Sequence, residues 1–142
     1  MPVPSGVERP ASLTRLPAIE KKTISRTDVE YSIRLAPFNI ARVKVERLSR
    51  DRAFVHWVFV PPAFRGLGLG QVILRRVLAD ADREGLTVAL VAKACGTMAQ
   101  SPLERWYAEN GFVARGPAED GGTKMVRAPR VRASSRRHKR VA

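Results

Sequence analysis

Arg65, Gly66, Gly68 and Gly70 stand together directly after an apolar segment and directly before an amphipathic one. Glycines at this spacing let the main chain approach a ligand closely and adopt positive φ. The amides that open a helix point outward without helical acceptors, with the positive end of the helix dipole behind them. A pyrophosphate suits that geometry, and the Arg65 guanidinium adds a positive charge beside it. Two better-known phosphate loops do not fit. A Walker loop ends in Gly-Lys-Ser/Thr, where this chain has Gly70-Gln71. The dinucleotide fingerprint G-x-G-x-x-G needs glycine at a sixth position, where Gln71 follows from Gly66 and Ile73 from Gly68.

Two further residues are candidates for proton transfer or covalent chemistry. His56 lies four positions before Val60 and so shares a strand face with Phe54, Val58 and Val60. An imidazole exchanges protons near neutral pH, which makes His56 the candidate base; the alternative is a hydrogen-bonded core histidine. Cys95 would act as a nucleophile only beside an activating base, and Ala94, Gly96 and Thr97 supply none. Trp57 and Trp106 are expected in the core rather than as a substrate platform.

The elements that must hold these residues are legible from periodicity. Val29–Leu35 and Ile40–Leu48 alternate as strands, with a turn at residues 36–39. Ala53–Val60 is almost continuously apolar, as expected of a central strand covered on both faces. Pro61 and Pro62 stop it, because neither donates a ladder hydrogen bond. Leu69–Glu84 then places Ile73, Leu74, Val77, Leu78 and Ala81 on one helical face, and Gly85 ends it. Leu86–Ala92 reads as another buried strand. Pro102–Asn110 reads as a short helix with Ser101 as N-cap and Pro102 at its first position. Segments 112–115 and 123–127 suit a closing hairpin. The expected order is β-β-β-α-β-α-β-β, an α+β domain over residues 23–127, with a loose arm at 1–22 and a basic tail at 128–142.

The strand–loop–helix sequence Val60-Pro61-Pro62-Ala63-Phe64-Arg65-Gly66-Leu67-Gly68-Leu69-Gly70 resembles the motif V-x-P-x-x-R-G-x-G-x-G of the GNAT superfamily of acyl-CoA N-acyltransferases. A second block, Trp106-Tyr107-Ala108-Glu109-Asn110-Gly111-Phe112, is similar to the family's aromatic-Tyr-x-x-x-Gly-Phe. The resemblance covers about residues 29–127 and implies a GNAT-like mixed, mostly antiparallel sheet with helices packed on it. It implies that main-chain groups of Val58, Phe59 and Val60 bind the pantetheine arm of acetyl-CoA. The pyrophosphate would lie on the amides of Gly66, Leu67, Gly68, Leu69, Gly70 and Gln71. Tyr107 stands where the family's tyrosine usually points toward the coenzyme sulfur, which implies an acid for the departing thiolate. His56 falls at the offset of a proton-relay histidine in arylalkylamine-type members; many other members use a glutamate in this region, and none occurs in residues 53–60. Gln100 replaces an asparagine that often touches the coenzyme. Family members usually carry two helices between their first and second strands. No convincing helical pair precedes Val29, which implies a reduced N-terminal helical region, an irregular one formed by residues 1–28, or one supplied by a partner subunit.

The resemblance implies N-acetyl transfer from acetyl-CoA, as co-substrate and without a metal, to an amine of a protein or small molecule. The alternative is a non-catalytic module of the same fold that binds coenzyme A or nucleic acid. An acceptor lysine, with pKa near 10.4, is only about 0.04% neutral at pH 7, so the site needs a base or a desolvating environment. Direct attack needs no covalent enzyme intermediate.

Bulk properties bound the setting. The chain has 142 residues, one cysteine and a net charge of +13, of which residues 127–142 hold seven basic and no acidic side chains. That basic tail is expected either to contact nucleic acid or the ribosome, or simply to solubilise. No run approaches the roughly 18–20 apolar residues of a membrane span, and the N-terminus lacks the apolar region of a secretion signal. A soluble cytoplasmic protein is expected, with no membrane partner; a homodimer is open to it.

Overall fold

The computed structural model describes residues 18–94 and 98–130. Seven strands and two helices follow in the order β1 (Ile19–Thr23), β2 (Asp28–Leu35), β3 (Phe38–Ser49), β4 (Arg52–Phe59), α1 (Leu69–Glu84), β5 (Thr87–Ala92), α2 (Gln100–Glu109), β6 (Val113–Pro117) and β7 (Thr123–Arg127). The sheet order is β1-β2-β3-β4-β5-β7-β6, and β1–β2, β2–β3, β5–β7 and β6–β7 all pair antiparallel. The residues divide into two compact units, 18–46 with 55–77, and 47–54 with 78–130. No helix among the described residues is long and apolar enough to cross a membrane.

In the first unit, strand alternation separates an apolar face from a polar one. The β2–β3 register sets Tyr31 against Val43 and Ile33 against Ala41, and all four are buried. On the other face it sets Asp28 against Glu46, Glu30 against Lys44 and Ser32 against Arg42. The register slips between Ile33 and Arg34, so adjacent Ile40 and Ala41 are both fully buried, as a bulge allows. The first turns of α1 bury Leu69, Ile73, Leu74 and Val77 at spacings of three and four. Each fully buried Ile or Leu contributes about 1.5–3 kcal/mol.

β1 is an element that hydrophobic pattern does not reveal. The arm expected at 1–22 is corrected at its end, because residues 19–22 pair with β2. Glu20, Lys21, Lys22 and Thr23 are all exposed, so this strand buries no face and shows no period; its ladder to β2 holds it. Charged edge strands of this kind also discourage pairing with other chains. Only residues 24–27 join β1 to β2, with Ile24 N donating to Asp28 O at 2.8 Å and Asp28 N to Ser25 Oγ at 3.1 Å. No helix lies between these two strands.

The second unit buries Leu78 and Ala81 of α1, Val88, Leu90 and Ala92 of β5, and Tyr107, Phe112 and Met125. Its polar centre is Arg127, whose side chain is 4% exposed. Both of its terminal nitrogens donate to Asp82, at 2.7 and 3.1 Å, and its Nε donates to Asn110 O at 2.9 Å. Asp82 also accepts from the Arg130 main-chain N–H at 2.9 Å. One guanidinium thereby ties the end of α1, the residue after α2 and the last strand together.

Three local expectations are corrected. The run 53–60 is not buried throughout: along one face Ala53 and Val55 are buried while Trp57 and Phe59 are 38% and 43% exposed, and His56 on the other face is exposed. β5 likewise buries only alternate residues, and Val91 is 38% exposed. An unbroken apolar run has no period, so it cannot report which face lacks a cover. α2 starts at Gln100 with Ala99 as N-cap and no side-chain cap bond, so Ser101 is not the cap and Pro102 sits within the first turn. The reason is Gln100 itself, whose amide binds the chain leaving β5 and fixes the helix start there. Residues 1–17, Cys95 and the tail beyond 130 lie outside the described residues.

Candidate active site

The glycine-rich segment is anchored at both ends. After β4, Pro62–Phe64 form one turn of 3-10 helix, with Phe64 N donating to Pro61 O at 2.9 Å. Phe64 is buried and its ring lies 5.9 Å from that of Phe38. At the far end Leu69, the first residue of α1, is also buried. Between these anchors, Gly66 and Gly68 take φ of +83° and +78°, a region that side chains other than glycine rarely adopt. A Cβ built on either would meet nothing within 4 Å, so the glycines are needed for conformation and the space above them is open. Gly70 lies inside α1 without positive φ, so the conformational argument applies to two of the three glycines.

The first α1 bond runs from Val72 N to Gly68 O at 3.1 Å. The amides of Gly68, Leu69 and Gly70 precede it and lie at the positive end of the helix dipole. Main-chain donors placed in this way suit the chemistry of an anion such as a diphosphate. Arg65 is exposed, and its Nε donates to Val60 O at 2.8 Å across the double-proline turn. That bond fastens the strand end to the loop while leaving the guanidinium's outer nitrogens beside it. Val58 and Val60 are half-buried and Phe59 is exposed.

His56 is on β4 in the same unit and is exposed rather than buried in the core. Its Nε2 lies 2.7 Å from Glu46 Oε1 of β3. Glu46 is the residue that sequence reasoning missed. It alternates with Arg42 and Lys44 as a polar strand position, and its meeting with His56 depends on cross-strand placement that spacing does not disclose. Neighbouring Trp57 is not core either: the Arg42 guanidinium lies 5.3 Å from its ring centroid, and Arg42 Nε donates to Glu30 at 2.7 Å.

In the second unit, Tyr107 is 8% exposed, its ring 4.9 Å from Trp106 and 5.6 Å edge-on from Phe112. Gly111 and Phe112 follow as α2 ends, with Phe112 N donating to Tyr107 O at 3.1 Å. The aromatic motif therefore forms one packed cluster around the tyrosine. Gln100 donates to Ala92 O at 2.8 Å and accepts from Ala94 N at 2.9 Å. It also donates to Glu104 at 2.6 Å, and Thr123 donates to the same carboxylate oxygen at 2.8 Å. The Gln100 and Thr123 bonds hold the Glu104 carboxyl below its ordinary value. Gln100 thus serves the loop's own structure, with its amide oxygen and nitrogen both engaged within the chain.

A family model described as the acetyltransferase (GNAT) family matches residues 32–112. The chain belongs to that family. By membership it is an acyltransferase, and the fold agrees with it. PaiA N-acetyltransferase from Thermoplasma acidophilum, solved in complex with coenzyme A, is similar with a TM-score of 0.60 at 13% identity, over 72% of this chain and 61% of that one. The ribosomal-protein-S18-alanine N-acetyltransferase from Escherichia coli is similar with a TM-score of 0.62 at 17% identity, over 77% and 74%. An acyl-CoA N-acyltransferase from Pseudomonas aeruginosa gives 0.58 at 24% identity, over 71% and 68%. No curated protein sequence matches the chain.

Proposed function

We propose that this GNAT member transfers the acetyl group of acetyl-CoA directly to a primary amine of a protein or small molecule. The observation that carries the reading is the turn at Gly66 and Gly68, opening with positive φ onto the start of α1. The amides there would hold the coenzyme diphosphate, with Arg65 adding charge, and the main chain of residues 58–60 would receive the pantetheine arm. The thioester is thereby delivered at the β4 end on which His56 stands.

His56 takes the proton that the amine must lose as it attacks, and its exposed position suits contact with an acceptor. The thioester carbon passes through a tetrahedral adduct, the C–S bond breaks, and the amide bond remains. Tyr107 is assigned the proton that neutralises the departing thiolate. Its near-complete burial among Trp106 and Phe112 favours a fixed hydroxyl position over a wandering one. No enzyme-bound acyl group is required.

The test is thiol release from acetyl-CoA with a panel of protein and small-molecule amines. Tyr107→Phe is expected to lower kcat about 100-fold, the lower range for loss of a general acid, with little change in acetyl-CoA affinity. His56→Ala should lower kcat/KM for the amine. Unchanged turnover in both variants would show the two assignments to be wrong, and no turnover with any amine would favour a binding module.

A further inference from the structure

We propose that Glu46 is a positioning residue for His56, fixing the imidazole as the Nε2–H tautomer so that Nδ1 is its basic nitrogen; this rests on the reading of His56 as the amine's base. A carboxylate at neutral pH accepts hydrogen bonds and has none to give. At 2.7 Å from Glu46 Oε1, His56 Nε2 must therefore carry the proton. In the neutral ring the other nitrogen then holds the lone pair. The same contact helps to restrain the ring of a side chain that is 37% exposed.

The β2–β3 ladder gives Glu46 no comparable reason to be acidic. Its direct partner in register is Asp28, and like charges directly opposite one another destabilise a sheet. The favourable ladder partner for a charge on this face is instead one position over, where Glu30 faces Lys44. The hydrogen bond of Glu46 is to the β4 histidine. When Nδ1 accepts the acceptor's proton, the ring becomes imidazolium and its contact with Glu46 becomes a charge-assisted pair, which strengthens as the reaction proceeds.

The experiment combines ring-nitrogen NMR of the full chain with a double-mutant cycle. The chain has two histidines, His56 and His138, so the His56 signals are assigned by their loss in His56→Ala. In the native protein, at a pH where the ring is neutral, Nε2 should give a protonated-type signal and Nδ1 a lone-pair-type signal. Glu46→Ala should draw the two signals toward each other as the tautomers mix. It should also lower kcat about five- to tenfold, since an exposed pair contributes modestly. The isosteric Glu46→Gln should lower kcat without changing the thermal midpoint or the KM for acetyl-CoA. Adding Glu46→Gln to His56→Ala should change the rate by less than about twofold, because Glu46 acts through the ring. Unmoved nitrogen signals, or the same rate loss with and without His56, would overturn the role of Glu46 while leaving His56 as the base. Full turnover in His56→Ala would overturn both together.

Discussion

Gly68→Glu is expected to abolish acetyl-CoA binding while leaving a folded protein. At φ of +78° a residue with a Cβ is strained by about 1–2 kcal/mol, and here no neighbouring atom stands within 4 Å to add a clash. The stability lost should be that strain and little more. The binding lost should be far larger, because a carboxylate would project over the opening amides of α1. There it would occupy the donors that a diphosphate needs and repel the diphosphate itself. Calorimetric titration with acetyl-CoA should show affinity reduced by more than about 1,000-fold, equivalent to roughly 4 kcal/mol. Gly68→Ala supplies the control, carrying the backbone strain without the charge, and should lose about tenfold. Native-like affinity in Gly68→Glu would remove the diphosphate cradle from this loop and the proposed activity with it.

Asp82→Ala should destabilise the chain by about 3–5 kcal/mol, the usual result of stripping the partner from a buried charge. Arg127 is 4% exposed and sends two of its nitrogens to Asp82; in the variant only the Asn110 carbonyl bond remains among those described above. For a domain of this size the thermal midpoint should fall by about 10–15 °C. Replacing both partners, Asp82→Leu with Arg127→Met, should cost less than the single change, because no charge is left buried. The same pair sets an acid dependence. Burial pushes the Asp82 carboxyl upward, but the Arg127 guanidinium, the Arg130 N–H and their charges outweigh it, and the carboxyl titrates below its ordinary 3.8. A depressed native value means that the stabilisation is complete above the unfolded-state value and is lost as pH falls through the native one. Acid unfolding followed by circular dichroism should therefore show a component below about pH 4 that Asp82→Ala lacks. An acid profile identical in the two proteins would contradict this.

Much of the architecture was legible because its physics is local. The period of α1 over residues 69–84 comes from Ile73, Leu74, Val77, Leu78 and Ala81, and the structure starts and ends that helix where the pattern does. The closing hairpin is marked by Gly121 and Gly122, and β6 and β7 pair across it. The positive φ at Gly66 and Gly68 is likewise what their residue type and spacing imply. What escaped was not local. β1 has no apolar face to announce it and exists through its ladder with β2. The exposure of Trp57 and Phe59, on the same face as buried Ala53 and Val55, depends on how far cover extends along β4, which the composition of β4 itself cannot tell. The start of α2 depends on Gln100 reaching back to Ala92 and Ala94, a contact made in three dimensions. Glu46 escaped for the same reason, since it and His56 stand ten positions apart.

The link at residues 24–27 makes this scaffold adaptable. Loop closure grows only logarithmically with length, about 0.6 kcal/mol for each doubling, so a segment grafted into that exposed hairpin would burden folding little. A graft there would sit at one end of the strand that lies opposite Glu46. Libraries grafted at this single point would lie outside the glycine turn proposed to hold the acyl donor.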